Sequence, residues 1–329
     1  MQDTLPSPAE VTAGVVPDVA RHRETVSAVL ARRDPRLLVI VGPCSVHDPD
    51  GALEYAGLLA GAAARYSDDL VVVLRAYLEK PRSVTGWTGF LPDPTLDGKG
   101  DLAAGVRLGR RFLLEAAGMG LPLAYEFVDP VLAPYVADTV SWGAIGARTV
   151  ASQPHRQLAS WLPMPVGMKN CVSGRVGPAV DAIRAAGAAH VFPGLGVDGR
   201  MKTLRSTGNP DAHLVLRGGL VPNYDAESVA GAVGLLGEAG LPRRVVVDAA
   251  HGNSGKDHDR QPGVVGEVAR QIRDGGPVVG VMIESYLLDG AQDPERVPAL
   301  RGVSRTDPCL GWERTVPLLE ELAVARRGR

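Results

Sequence analysis

The feature that most constrains this chain is a change of period that recurs along it. Short apolar runs rich in Val, Ile and Leu stand at 37–42, 70–76, 122–127, 144–148, 165–169, 190–193, 245–248 and 278–283. Between them, apolar residues fall three and four apart, as on one helix face. In 51–66 the face is Leu53, Ala56, Leu59, Ala60 and Ala63; in 105–117 it is Val106, Leu108, Phe112 and Leu113; 176–186 and 263–272 repeat the pattern. Strands alternating with helices join in parallel, and parallel strands covered on both faces read as continuous apolar runs. Eight such strands predict a (β/α)8 TIM barrel, with the further run at 213–216 as a strand inserted after the sixth. The competing architecture is a doubly wound open sheet; the strand count and the position of the polar residues favour the barrel. Residues 1–36 predict an arm with one short helix, and 37–329 a single barrel catalytic domain.

The 329 residues, 45% of them hydrophobic, suffice for a barrel core. A net charge of −2 gives no basic excess for nucleic acid and no acidic tail. Three cysteines, Cys44, Cys171 and Cys309, make no disulfide framework and predict a reducing cytoplasm. The opening residues lack the basic start and apolar core of a signal peptide, and no apolar run approaches the roughly 18 residues of a membrane span.

In a barrel, side chains just past the strand C-termini face the active site. Here those positions read Gly42-Pro43-Cys44-Ser45, Arg75 through Ser83, Glu126, Arg148, Lys169-Asn170, Arg217-Gly218-Gly219, Asp248 through Ser254, and Glu284-Ser285. Arg75, Lys80, Arg82, Arg148, Lys169 and Arg217 put six cations in one mouth. Any single one is best read as an ion-paired or solvated side chain. Six at successive strand ends call for anions, and two phosphates with a carboxylate match them. Arg suits bidentate recognition of such groups, and Lys a point charge or a proton transfer. The second constellation is Cys44, His251, Glu284 and a later acid, Asp307. Singly, the cysteine and histidine are ordinary core residues. Together they offer sulfur, nitrogen and oxygen to a divalent metal, a donor set that suits Mn, Fe, Co or Zn without choosing among them. The glycine-rich stretch 194–199 forms neither a P-loop nor a dinucleotide fingerprint and reads as a turn.

These segments resemble the class I 3-deoxy-D-arabino-heptulosonate 7-phosphate (DAHP) synthases, in the enterobacterial-type branch. The likeness runs from about Arg36 to Leu322 and is carried by Val41 through Asp48, Glu79-Lys80-Pro81-Arg82, Ser141 through Arg148, Val166 through Asn170, Leu216 through Gly219 and Val281 through Ser285. It implies a TIM barrel, a dimer or tetramer, and condensation of phosphoenolpyruvate with erythrose 4-phosphate at the entry of the shikimate pathway. It implies Cys44, His251, Glu284 and Asp307 as metal ligands, His251 and Lys80 in catalysis, Arg75, Lys80, Arg148, Lys169 and Arg217 on phosphoenolpyruvate, and Arg82 and Ser83 on the aldose phosphate. Lys80, flanked by cations, is expected to have a lowered pKa. Two other readings stay open: a related synthase using another phosphorylated aldose or a secondary-metabolism aldehyde, and a non-catalytic barrel acting as a regulatory partner. Several positions depart from the family. Ala249-Ala250 replaces a Phe-Ser pair, the segment 193–202 is unlike its counterparts, and the arm is short. Pro163 and Gly194 stand where regulated relatives often carry serines in the effector pocket. Weak or absent inhibition by Phe, Tyr and Trp is the expectation.

Overall fold

The computed structural model describes residues 4–14, 16, 18–294, 296 and 298–328; Met1–Asp3 of the expected arm, with residues 15, 17, 295, 297 and 329, lie outside the described residues. Its strands are β1 (Leu37–Gly42), β2 (Leu70–Arg75), β3 (Leu123–Glu126), β4 (Trp142–Ile145), β5 (Val166–Lys169), β6 (Val191–Leu195), β7 (Met201–Arg205), β8 (His213–Leu216), β9 (Val245–Asp248) and β10 (Val278–Glu284). Eight of them close a barrel in the order β1-β10-β9-β8-β5-β4-β3-β2, all pairs parallel. β6 and β7 form a separate antiparallel hairpin.

Two of the expected strands exchange roles. The run 213–216 is the sixth barrel strand, and the run beginning at 190 lies outside in the hairpin. The physical difference is burial: all four residues of β8 are buried, whereas in β6 Phe192 alone is buried and the strand carries Pro193 and Gly194. Proline cannot donate to a ladder on both sides and is confined to edges. The glycine-rich stretch makes the hairpin turn, where Gly196 N–H bonds Arg200 O at 2.8 Å. The fourth strand is also displaced: it spans Trp142–Ile145, and Arg148 falls in the turn beyond it. Among the helices, Leu108 is 46% exposed and does not belong to the buried face.

Strand alternation divides the apolar residues into two layers. Leu37, Val39, Val41, Leu70, Val72, Leu74, Val166, Met168, Val245, Val247, Val281 and Ile283 pack outward against the helices. Leu38, Ile40, Val71, Val73, Ala124, Trp142, Val215, Val246 and Met282 fill the lumen. Val26, Val29 and Leu30 of the helix Val19–Leu30 join this inner cluster. The expected single short helix before β1 is thus accompanied by another, Pro8–Val11, whose Ala9 N–H bonds Val197 O of the hairpin turn at 2.8 Å.

Candidate active site

The same alternation aims the strand ends. With Val73, Ala124, Val215, Val246 and Met282 inside, the residues two further on must also face inward. These are Arg75, Glu126, Arg217, Asp248 and Glu284; Lys169 follows Met168, which faces out, and so also points in. Arg75, Glu126, Lys169, Arg217 and Glu284 line a cavity of about 290 Å3 at the C-terminal mouth, together with Cys44, Tyr77, Glu79, Lys80, Arg82, Ser83, Arg148, His251, Lys256 and Asp307; Asp248 is fully buried and does not line it. All eleven residues singled out from the sequence line this one cavity.

At one end, Cys44 Sγ and the carboxylates of Glu284 and Asp307 bring ligand atoms within 4.8 Å of one another. His251 joins from the side, its Nε2 3.5 Å from Glu284 Oε1. Lys80 Nζ sits among these donors, 2.8 Å from Cys44 Sγ and 3.0 Å from Asp307 Oδ2, and Lys256 Nζ holds Asp307 Oδ1 at 3.1 Å. The donor set fits a divalent ion: it is soft and hard together, partly buried, and already gathered around a positive charge.

This arrangement reverses the expectation for Lys80. Burial does weaken its ammonium, but Cys44, Asp307 and Glu284 outweigh burial and hold its pKa well above the ordinary lysine value. Its nearest neighbours are the Cys44 sulfur and the Asp307 carboxylate, not the other cations. Burial pushes the Cys44 thiol up to about 11, with Glu284 adding to it and Lys80 opposing. Burial would also raise Asp307, yet Lys80 and Lys256 keep that carboxyl well below its usual range.

The remaining cations divide into two kinds. Arg75 pairs with Glu284 at 3.0 Å, and Lys169 with Asp248 at 3.3 Å and Glu126 at 4.0 Å, all buried. For these the plain ion-pair reading holds, so the protein's own carboxylates take up part of the charge. Arg82, Arg148 and Arg217 differ. They donate to Trp87 O at 2.7 Å, Ser83 Oγ at 2.7 Å and Gly218 O at 3.1 Å, and among the described residues none has a carboxylate within 4.0 Å. Three guanidinium groups around one mouth thus keep their charge for a ligand.

Sequence reasoning gave no role to Glu79, Glu126, Asp248 or Lys256. The first three stand at strand ends, a signal present but unused. Lys256 carries none: it comes from the turn after the helix His251–Ser254, with a left-handed backbone at φ 63°. Glu79, buried beside Lys80, accepts from Tyr125 Oη at 2.9 Å and from Asp129 N–H at 2.9 Å. Burial outweighs these bonds and raises its pKa to about 8.

Comparisons with known proteins agree in direction. Residues 18–320 match the family described as the DAHP synthetase I family. The chain is 48% identical over 307 residues to the Tyr-sensitive phospho-2-dehydro-3-deoxyheptonate aldolase of Escherichia coli K12, covering 92% of this chain and 86% of that protein. It is 48% identical over 317 residues to the Trp-sensitive enzyme of Enterobacter agglomerans, covering 96% and 91%. A solved structure of the aldolase of the same name from Francisella tularensis SCHU S4 superimposes with a TM-score of 0.98 at 39% identity, over 100% of this chain and 98% of that one.

Proposed function

The chain belongs to the DAHP synthetase I family, and from that membership we propose that it condenses phosphoenolpyruvate with erythrose 4-phosphate, releasing phosphate, as the first step of the shikimate pathway. The observation that carries this reading is the set of three arginines, Arg82, Arg148 and Arg217, lining the mouth without carboxylate partners among the described residues. They share one cavity, and Arg148 Nε donates to Ser83 Oγ at 2.7 Å, linking the residues assigned to the two substrates.

In this reading Arg75, Lys80, Arg148, Lys169 and Arg217 bind phosphoenolpyruvate, while Arg82 and Ser83 bind the phosphate of the aldose. Holding both substrates in one cavity sets C3 of phosphoenolpyruvate against the aldehyde carbon and replaces a bimolecular encounter by a fixed approach. Cys44, His251, Glu284 and Asp307 hold a divalent metal, with Mn, Fe, Co and Zn all chemically suited. Such an ion supplies Lewis-acid polarisation of the aldehyde oxygen when bound. Lys80, kept charged by its neighbours, delivers a proton to that oxygen as the carbon–carbon bond forms. Water adds at C2, and the departing phosphate keeps its charge on Arg148, Lys169 and Arg217. Homo-oligomerisation, as dimer or tetramer, and a cytoplasmic setting complete the reading; among the described residues no helix is long and apolar enough to cross a membrane.

The test is phosphate release from phosphoenolpyruvate with a panel of aldose phosphates, before and after stripping with a strong chelator. Erythrose 4-phosphate is expected to give the highest kcat/KM, and chelation to abolish turnover until a divalent ion is restored. Cys44→Ala is expected to be inactive yet folded by circular dichroism. Full activity of that variant, or of the stripped protein, would refute the metal assignment; preference for a longer aldose would favour the related-synthase reading.

A further inference from the structure

Asp248 belongs to neither ligand set, yet it touches both. It is the last residue of β9 and is fully buried. Its orientation is fixed twice: Oδ1 accepts the Ala250 N–H at 3.0 Å, and its backbone carbonyl accepts from Asn253 Nδ2 at 2.8 Å. That leaves Oδ2 facing His251 Nδ1 at 2.9 Å and Lys169 Nζ at 3.3 Å. The other ring nitrogen, Nε2, turns toward Glu284 Oε1 at 3.5 Å, within the metal-donor cluster.

The backbone at His251 is itself constrained. His251 sits at φ 56°, a left-handed conformation uncommon outside glycine, at the head of a four-residue helix. Gly252 follows it, and a Cβ there would collide with the backbone of Gly218 and Gly219. The loops after β8 and β9 are thereby pressed together, and Asp248 Oδ2 is the buried acceptor beside Nδ1; the two atoms stand 2.9 Å apart, not aligned as a hydrogen bond, and neither has another hydrogen-bond partner among the described residues.

We propose that Asp248 is a positioning residue that keeps the proton of His251 on Nδ1, so that Nε2 presents its lone pair to the divalent ion. Lys169 balances the carboxylate from the substrate side, so one oxygen serves the metal ligand and the anion site together. The inference rests on Cys44, His251, Glu284 and Asp307 being the metal donors. In metal sites, a carboxylate behind a ligating histidine typically contributes about 10–100-fold in affinity.

The test is equilibrium dialysis of Zn2+ against four proteins: wild type, Asp248→Asn, His251→Ala and the double variant. Asp248→Asn is expected to weaken Zn2+ binding by about 10–100-fold. In the His251→Ala background the same substitution is expected to add nothing, because its effect passes through the ring. A role in stability alone would lower Tm and leave the affinity unchanged. Affinity of Asp248→Asn within twofold of wild type, or an equal loss in both backgrounds, would overturn the proposal. A wild type that takes up no Zn2+ would instead overturn the metal reading beneath it. Should Asp248→Asn not fold, nitrogen NMR of histidine-labelled, Zn2+-loaded wild type decides the matter. A proton on Nδ1 with metal on Nε2 of His251 is expected, and the opposite tautomer refutes the proposal.

Discussion

Arg82 and Arg217 carry the same charge but are held differently. Arg217 is buried and bonds the carbonyl of Gly218, in the cavity that Lys169 also lines, whereas Arg82 lies on the loop after β2 and bonds Trp87 O. Losing a charge-assisted contact costs about 1.5–3 kcal/mol, or roughly one to two decades in kcat/KM. Arg82→Ala is therefore expected to raise KM for the aldose phosphate, and Arg217→Ala to impair phosphoenolpyruvate binding and phosphate departure. Steady-state kinetics with each substrate varied separately checks this, and equal damage toward one substrate would contradict the two-site assignment. Glu79 makes a different prediction. Its pKa of about 8 in the folded protein lies above the ordinary 4.5, so the folded state holds a proton that the unfolded state releases between those values. Stability must then fall as pH rises through that window and level off above it, with a slope of up to about 1.4 kcal/mol per pH unit. Glu79→Gln removes the slope. Urea unfolding of both proteins across this range is expected to show the variant gaining on wild type as pH rises; a constant difference would mean that Glu79 is ionised when folded.

The β6–β7 hairpin is the element on which regulation turns. Gly194 faces an apolar cavity of about 120 Å3 between the hairpin and the helix Gln153–Trp161. Pro130, Pro134, Leu158, Phe192, Met201 and Leu204 wall it, and none of its lining residues is charged. A Cβ at Gly194 would meet the end of the Leu204 side chain, which would have to turn aside to admit a serine. Pro163 lies apart, in a second cavity with Arg23, Glu24, Arg205 and Asp211 at its walls. An amino-acid zwitterion needs partners for two charges, and burying them unpaired is costly. The cavity at Gly194 offers an ion-pair partner for neither charge, so inhibition through it by Phe, Tyr and Trp is expected to be weak or absent in titrations at subsaturating substrate. Half-inhibition at low micromolar concentration would refute this, and its loss in Arg205→Ala would place the effector in the second cavity. The hairpin is also where the sequence was hardest to read. The runs at 190–193 and 213–216 are alike in length and apolarity, and only Pro193 and Gly194 marked the first as unfit for the interior of a sheet.

Across the whole molecule, the barrel was legible because burial on both faces keeps its strands largely apolar: β2, β3, β5, β9 and β10 each close on their first charged residue, and Arg217 follows β8 directly. That is why Arg75, Lys169, Arg217 and Glu284 could be picked out before any coordinates. What they touch was not legible. Arg75 with Glu284, Lys169 with Asp248 and Lys80 with Asp307 are far apart in the chain, and their meeting depends on barrel closure and on the loop that carries Asp307 back to the mouth. Lumen and helix layer are told apart only by odd and even position. From this alternation it follows that the barrel has a reading frame. Deleting one residue within β2 would send Arg75 into the helix layer and bring an apolar neighbour to the mouth, just as a shifted codon garbles everything downstream. Chemistry at this mouth can be rewritten by exchanging letters, but not by changing the length of the words.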